Sequence, residues 1–268
     1  MPFTLRLSTI FLALALLSVI FVASTNFFPY IGVKAYWFRL CVSLALIAFL
    51  GWVGFQSSNE EIRRLFKQTF SSPLVLAVTI FVAIFVLASV FAYDSSAAFW
   101  SNFERGEGGF QMIYYYLFFL LLVLTGRDEK TWRLFLWTTL IAAVLVISYG
   151  VSSFFGIINS GMPTEGGIFG QRFAGSLGNP AYLGSYLLFS LFFAGFLIFN
   201  DKTVKWQRFL LFGLSLLFLF FILLTQTRGA FLGLIVSVIV FLLFYAFKNP
   251  VYRRSLTIAA LILVLLFS

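Results

Sequence analysis

The sequence has no histidine, a single cysteine and few charged residues. Because histidine is missing, the 268 residues cannot form a Ser-His-Asp set, and they contain neither a phosphate-binding P-loop nor a cluster of metal ligands. Cys41 alone provides no disulfide framework and no metal site. Charged residues make up only 10% of the chain, against about 25% in a soluble domain. We therefore predict no metal ion and no cofactor, and we exclude a soluble protein.

Acidic residues are also scarce, and all nine fall outside the apolar runs. Ion-coupled transporters and proton pumps usually bury acidic groups within their membrane spans. The sequence also has no internal repeat and no inverted pair of spans broken by Gly or Pro, a pattern that many transporters show. These absences disfavour a transporter.

Hydrophobic residues make up 62% of the chain and form long uninterrupted blocks. Blocks of about 20 residues match the hydrocarbon thickness of a bilayer. We predict an all-α, polytopic transmembrane helical bundle, with residues 1–268 as a single transmembrane domain. The predicted full spans are 7–24, 35–55, 73–92, 110–125, 134–156, 181–199, 209–225 and 230–247. A ninth apolar run from Ser255 to Ser268 is too short to cross, so we expect a C-terminally truncated chain.

The basic residues are divided unevenly between the two sides of the predicted bundle. They lie between apolar blocks, so the net charge of +9 favours a membrane protein over a nucleic-acid partner. With the N-terminus inside, 13 of the 18 basic residues fall on the inner side, as the positive-inside rule requires. The first span then serves as a signal anchor, since no clear small-x-small cleavage site follows it, and the alternative is a cleaved secretory signal peptide. The basic residues predicted outside are Lys34, Arg39, Arg105, Arg172 and Arg228.

Arg228 stands in a tight hairpin between the predicted seventh and eighth spans. Thr225, Gln226 and Thr227 precede it and add hydrogen-bond donors, and Gly229 permits close backbone approach where the next helix starts. A helix N-terminus beside an arginine suits a phosphate group. The alternative is a snorkelling arginine that only anchors a helix end.

Arg172 precedes the sixth predicted span on the same outer side. The segment Gly178-Asn179-Pro180 predicts a helix start, with Asn179 as the cap and Pro180 in the first turn. We expect irregular or partly re-entrant backbone before it. The segment either serves only as a helix start, or it is part of a site in which Arg172 and Arg228 together hold a diphosphate.

A third candidate segment lies in the outer loop before the fourth predicted span. Glu104, Arg105 or Glu107 would contact a sugar or phosphate there. The alternative is that Glu104 and Arg105 form a surface ion pair that contributes little to stability. Trp100 and Phe103 would then be part of an interfacial aromatic belt.

Residues 99–105, 172–183 and 225–230 together resemble the O-antigen ligase and polymerase family of bacterial membrane glycosyltransferases. The resemblance covers most of this chain but only the N-terminal part of a typical member. It implies transfer of a glycan from an undecaprenyl diphosphate carrier to an acceptor, which is a lipid, a growing glycan or a protein. It also implies the outer face of the bacterial cytoplasmic membrane, while the charge bias described above predicts a cytoplasmic N-terminus. No metal or nucleotide is required in the family.

The resemblance also implies which residues meet the substrate. Outer-side arginines of the family contact the lipid diphosphate, and they match Arg172 and Arg228 here. Family ligases use a histidine in a large outer loop beyond these spans, so we expect this chain to lack the catalytic loop and to be inactive alone. The rival hypotheses are a flippase for lipid-linked glycans and a non-catalytic membrane remnant. The predicted substrate-binding residues, with none catalytic, are Arg172, Arg228, Arg105, Glu104, Asn179 and Gln226. The predicted partners are the carrier-linked glycan, the acceptor and membrane lipids, and no nucleic acid.

Overall fold

A computed structural model of the chain describes residues 2–23, 29–101, 106–158, 172–248 and 256. The described residues form helices and connecting turns, with no β-strand among them. The chain divides into two units, Met1–Met162 and Pro163–Ser268. The single transmembrane domain therefore stays a prediction, and each unit is described by itself.

The first unit holds seven α-helices in its described ranges. A 3₁₀ turn, Leu17–Ile20, continues the first of them. The helices are α1 (Phe3–Leu16), α2 (Gly32–Phe55), α3 (Asn59–Phe70), α4 (Pro73–Val90), α5 (Ser95–Trp100), α6 (Gly109–Thr125) and α7 (Glu129–Phe154).

The core of the first unit forms where α1 packs along α2, with α6 and α7 beside them. Backbone polar groups in a bilayer must be satisfied within the protein, and polar side chains follow the same rule. Ser8 accordingly donates to the Ala45 carbonyl at 2.9 Å, and Trp37 Nε1 donates to the Leu14 carbonyl at 2.9 Å. These bonds join α1 to α2 on the buried side of both helices.

Helix α3 lies between the predicted spans 35–55 and 73–92, where no helix is predicted. Ser58 caps it, because its hydroxyl accepts a hydrogen bond from the Glu61 backbone N–H at 3.2 Å. Leu65 packs into the core of the unit with 5% of its surface exposed. A search for long apolar runs misses such a helix, and its sequence signal is the Ser-x-x-Glu capping pattern at residues 58–61.

Helix α7 begins after a short turn that Asp128 closes. The Asp128 carboxylate accepts a hydrogen bond from the Thr131 backbone N–H at 2.7 Å. Hydrogen bonds from the Thr131 hydroxyl and backbone lower the pKa of Asp128 below its ordinary value. The carboxylate thus stays ionised at the positive end of the helix dipole, where a negative charge is stabilising.

The second unit holds three long helices in its described range. They are α8 (Pro180–Ile198), α9 (Lys205–Leu224) and α10 (Arg228–Lys248). Helix α8 packs along α9 and also against α10. Gly233 on α10 approaches Leu188 on α8 so closely that an added Cβ would lie 3.1 Å from Leu188 Cδ2.

Seven of the described helices are long and apolar enough to cross a membrane, where α1 is counted with its 3₁₀ continuation as Phe3–Ile20. This pattern is that of a multi-pass membrane protein. Each of the eight predicted spans overlaps a described helix. The prediction of eight full spans is nevertheless not confirmed, because α6 has only 17 residues. At 1.5 Å per residue it is about 26 Å long, less than the hydrocarbon core of about 30 Å. The predicted ninth run lies outside the described residues, apart from Leu256.

Candidate functional site

The turn between α9 and α10 carries Arg228 as the first residue of α10. Gln226, at its centre, has a φ of +48°, in the left-handed region that few non-glycine residues adopt. This conformation reverses the chain within three residues, 225–227. The Thr227 carbonyl then accepts hydrogen bonds from the Ala230 and Phe231 N–H groups and starts α10.

Arg172 reaches this turn from the irregular segment before α8. Its Nε donates to the Thr225 carbonyl at 3.1 Å, and its Nη2 donates to the Thr227 hydroxyl at 3.2 Å. The neighbouring residue adds a third link, because the Phe173 N–H donates to the Leu224 carbonyl at 3.0 Å. The structure therefore brings Arg172 to the turn from which Arg228 projects.

Phe173 fixes this segment on the apolar side as well. Its ring centroid lies 4.8 Å from that of Phe221 on α9, and only 8% of the residue is exposed. The aromatic contact and the backbone hydrogen bond hold residue 172 in place without using all of its guanidinium donors. Sequence reasoning selected Arg172 but not Phe173, which is an ordinary aromatic in a chain with 38 phenylalanines.

The two arginines leave positive charge at an exposed surface. Both side chains are exposed, and within the part of the chain that the structure describes neither forms an ion pair with a carboxylate. Arg228 makes no side-chain hydrogen bond to another described residue. A Cβ added to Gly229 would meet no atom within 4 Å, so open space lies beside the start of α10.

The prediction that Thr225 and Thr227 add donors for a ligand is wrong. Both residues are buried, and the Thr225 hydroxyl donates to the Ile222 carbonyl at 2.7 Å. The Thr227 hydroxyl donates to the Thr225 carbonyl at 3.3 Å and accepts from Arg172. A tight turn must satisfy its own buried polar groups, so these hydroxyls shape the turn. Gln226, in contrast, is exposed.

The predicted helix start at Gly178-Asn179-Pro180 is confirmed. Pro180 is the first residue of α8, and Asn179 Oδ1 accepts a hydrogen bond from the Ala181 N–H at 2.8 Å. Gly178 has a φ of +71°, a conformation that glycine adopts at little cost. The described backbone before it, from 172 on, is irregular with a short 3₁₀ turn, as predicted. The substrate-binding role of Asn179 stays a prediction.

The third predicted segment is only partly described. Glu104 and Arg105 lie outside the described residues, so the structure does not place them. At the end of this loop, Arg39 Nη2 donates to the Gly106 carbonyl at 3.3 Å, and Arg39 Nε donates to the buried Gln111 side chain at 2.7 Å. Arg39 is one of the basic residues predicted outside, and the structure gives it a positioning role that sequence reasoning missed.

A separate apolar cavity of about 680 Å³ lies at the other end of the second unit. Its walls come from the last turns of α8 and from the middle of α9 and α10, and Asn200 and Asp201 also line it. Arg172 and Arg228 are not among its lining residues. The arginine-bearing turn and the cavity are therefore distinct features.

The fold and the turn define a multi-pass helical membrane protein with an exposed pair of arginines beside a helix start. No protein-family model, curated protein or solved structure matches this chain.

Proposed function

We propose that the chain belongs to a membrane glycosyltransferase of the O-antigen ligase and polymerase type. It binds an undecaprenyl-diphosphate-linked glycan on the outer face of the bacterial cytoplasmic membrane, and the glycan passes to an acceptor. Both the activity and the location are parts of this proposal.

The observation that carries the proposal is the contact of Arg172 with the turn before Arg228. Arg172 Nε and Nη2 bind Thr225 and Thr227, at 3.1 and 3.2 Å, and Arg228 is the next residue along the chain. Arg172 lies 53 residues before Thr225 in sequence, and its contact with the turn that precedes Arg228 supports a shared site. In this proposal both guanidinium groups contact one diphosphate.

The chemistry of the reaction suits this arrangement. As the glycosidic bond breaks, negative charge grows on the departing diphosphate. A fixed donor aimed at developing charge is worth roughly 3–4 kcal/mol in an enzyme site. Arginine suits this task because its planar fork binds two phosphate oxygens at once.

Ligand discrimination tests the proposal without requiring turnover. We expect the purified chain in nanodiscs to bind undecaprenyl diphosphate about tenfold more tightly than undecaprenyl phosphate, because one additional charge-assisted hydrogen bond is worth roughly 1.5 kcal/mol. Undecaprenol, which lacks phosphate, should bind more weakly than either. Competition against a fluorescent undecaprenyl diphosphate provides the measurement. Equal binding of all three lipids would show recognition of the polyprenyl tail alone and contradict the proposal.

The same ligand distinguishes an enzyme from a flippase. In proteoliposomes, a flippase moves a fluorescent carrier-linked glycan between leaflets, which dithionite quenching detects. A transferase binds the lipid without increasing this exchange. Rapid exchange that depends on the chain would favour the transporter.

The proposed topology has its own prediction. Lys205 begins α9, and the 20 residues of that helix separate it by about 30 Å from the turn that Arg172 contacts. On a Cys41→Ala background, we expect a membrane-impermeant maleimide added outside to label Arg172→Cys but not Lys205→Cys. Labelling after membrane disruption provides the control for reactivity. The reverse pattern in intact cells would show that the orientation is inverted.

A further inference from the structure

Helix α3 presents an aromatic row and a basic row side by side on its exposed surface. Phe66 and Phe70 stand one turn apart with ring centroids 6.2 Å apart and ring planes 9° from parallel. They are 38% and 40% exposed. Arg63 and Lys67, also one turn apart, are exposed in the neighbouring row. We call these four residues the α3 surface.

The opposite side of α3 is fixed to the first unit. Leu65 and Thr69 are only 5% and 6% exposed, and the helix contacts α4 and α6. Arg127 Nη1 lies 3.8 Å from Glu61 Oε1 and ties the helix to the turn after α6. The Leu65 side of α3 therefore packs against the rest of the unit, and the α3 surface takes no part in this packing.

The flanking helices determine where this surface lies. Helices α2 and α4 are each long and apolar enough to cross a membrane, and α3 is joined to them only through residues 56–58 and 71–72. The end of α2 and the start of α4 thus share one membrane face, and α3 must lie at that face. A helix with an apolar stripe beside Lys and Arg lies within such an interface, with its apolar side at the boundary of headgroups and acyl chains.

We propose that α3 is an interfacial helix whose surface binds anionic phospholipids. Phe66 and Phe70 enter the boundary of the acyl chains, and Arg63 and Lys67 bind the headgroup phosphates beside them. Neither cation forms an ion pair with a carboxylate in the described ranges, so both charges are available to a lipid. Charge complementarity makes the preferred lipid anionic, because a zwitterionic headgroup offsets the attraction with its own cation.

Depth measurements test the placement. We expect a nitroxide at Phe66→Cys, on a Cys41→Ala background in nanodiscs, to collide more with oxygen than with a water-soluble nickel chelate. Gln68→Cys, on the same helix but away from the aromatic row, should show the opposite preference. Equal access of the nickel chelate to both positions would overturn the proposal and identify the α3 surface as a water-facing site for a soluble partner.

Lipid selectivity tests the charge requirement. Native mass spectrometry of the full chain, released from nanodiscs that contain phosphatidylglycerol and phosphatidylcholine, gives the ratio of the two lipids retained. We expect Arg63→Gln and Lys67→Gln each to lower the phosphatidylglycerol preference about fivefold. Arg64→Gln is the matched control, because it removes the same charge from an exposed position farther around α3 from the aromatic row, and it should lower the preference less.

The remaining variants separate charge from structure. Arg63→Lys should retain the preference, since an exposed headgroup site requires the charge rather than the arginine fork. Thermal unfolding of all variants should match that of the unaltered chain. An equal loss in Arg64→Gln, or no phosphatidylglycerol preference in the unaltered chain, would overturn the proposal.

Discussion

Replacing Arg228 with alanine should weaken binding of undecaprenyl diphosphate by the chain about ten- to a hundredfold. A hydrogen bond to a charged group is worth roughly 1.5–3 kcal/mol, which corresponds to this range. The fold should tolerate the change, because Arg228 is exposed and forms no side-chain hydrogen bond or ion pair with the described residues. Equilibrium competition in nanodiscs measures the affinity, and thermal unfolding measures the stability.

Two further variants distinguish a phosphate clamp from a helix anchor. Arg228→Lys retains the charge without the bidentate fork, so its affinity should fall between those of the arginine and alanine forms. Lys205→Ala removes one positive charge at the other end of α9 and should leave the affinity unchanged. Undiminished binding by both Arg228 variants would leave Arg228 as a snorkelling anchor, and an equal loss in Lys205→Ala would indicate general charge attraction.

Arg172 should behave differently because it has two tasks. Its alanine variant loses the hydrogen bonds to Thr225 and Thr227, so it should unfold at a lower temperature as well as bind the diphosphate more weakly. A double-mutant cycle with Arg228→Ala isolates the part of the binding free energy that depends on both arginines. Two residues that contact one ligand show an interaction energy of about 0.5–3 kcal/mol in such a cycle, whereas the effects of mutations at independent sites are additive.

Most of the helical architecture could be predicted from the sequence, because a bilayer permits few alternatives. Long apolar runs that end in basic or turn residues located every described spanning helix, and the predicted 73–92 and 181–199 closely match α4 and α8. The predicted helix start at Asn179 followed from local chemistry, since a capping side chain and a proline act on neighbouring residues. Such features depend on sequence neighbours alone.

The features that the sequence did not predict depend on contacts between residues distant in sequence, or on an amphipathic helical pattern rather than a long apolar run. Helix α3 has a mixed polar and apolar pattern, which a search for apolar runs does not detect. The wrong assignment of Thr225 and Thr227 arose because a sequence does not reveal which hydroxyls a tight turn consumes internally. The positioning role of Arg39 depends on Gln111, 72 residues away. Sequence reasoning found Arg172 and Arg228 as charges that break the positive-inside bias, but not the hydrogen bonds that join Arg172 to the turn.

Gly184→Leu should disrupt the site without touching either arginine. A Cβ at position 184 would lie 3.0 Å from Ala230 Cβ and 3.1 Å from Thr225 Oγ1, so α8 packs directly on the turn. A larger side chain must separate α8 from the start of α10, and overpacking of this kind costs roughly 1–3 kcal/mol of unfolding free energy. We expect a lower unfolding temperature, and a loss of diphosphate affinity comparable to that of Arg228→Ala.

The chain offers a matched control and a compensating change for this test. Gly213 lies in α9, where an added Cβ would meet nothing within 4 Å, so Gly213→Leu should retain both stability and binding. Gly184→Ala should lower the stability less than Gly184→Leu. Adding Ala230→Gly to Gly184→Ala should partly restore the stability, because it removes the atom at 3.0 Å. Restoration appears as a non-additive pair of unfolding free energies. If Gly184→Leu unfolds and binds like Gly213→Leu, the close approach of α8 to the turn is not what holds Arg228 in place.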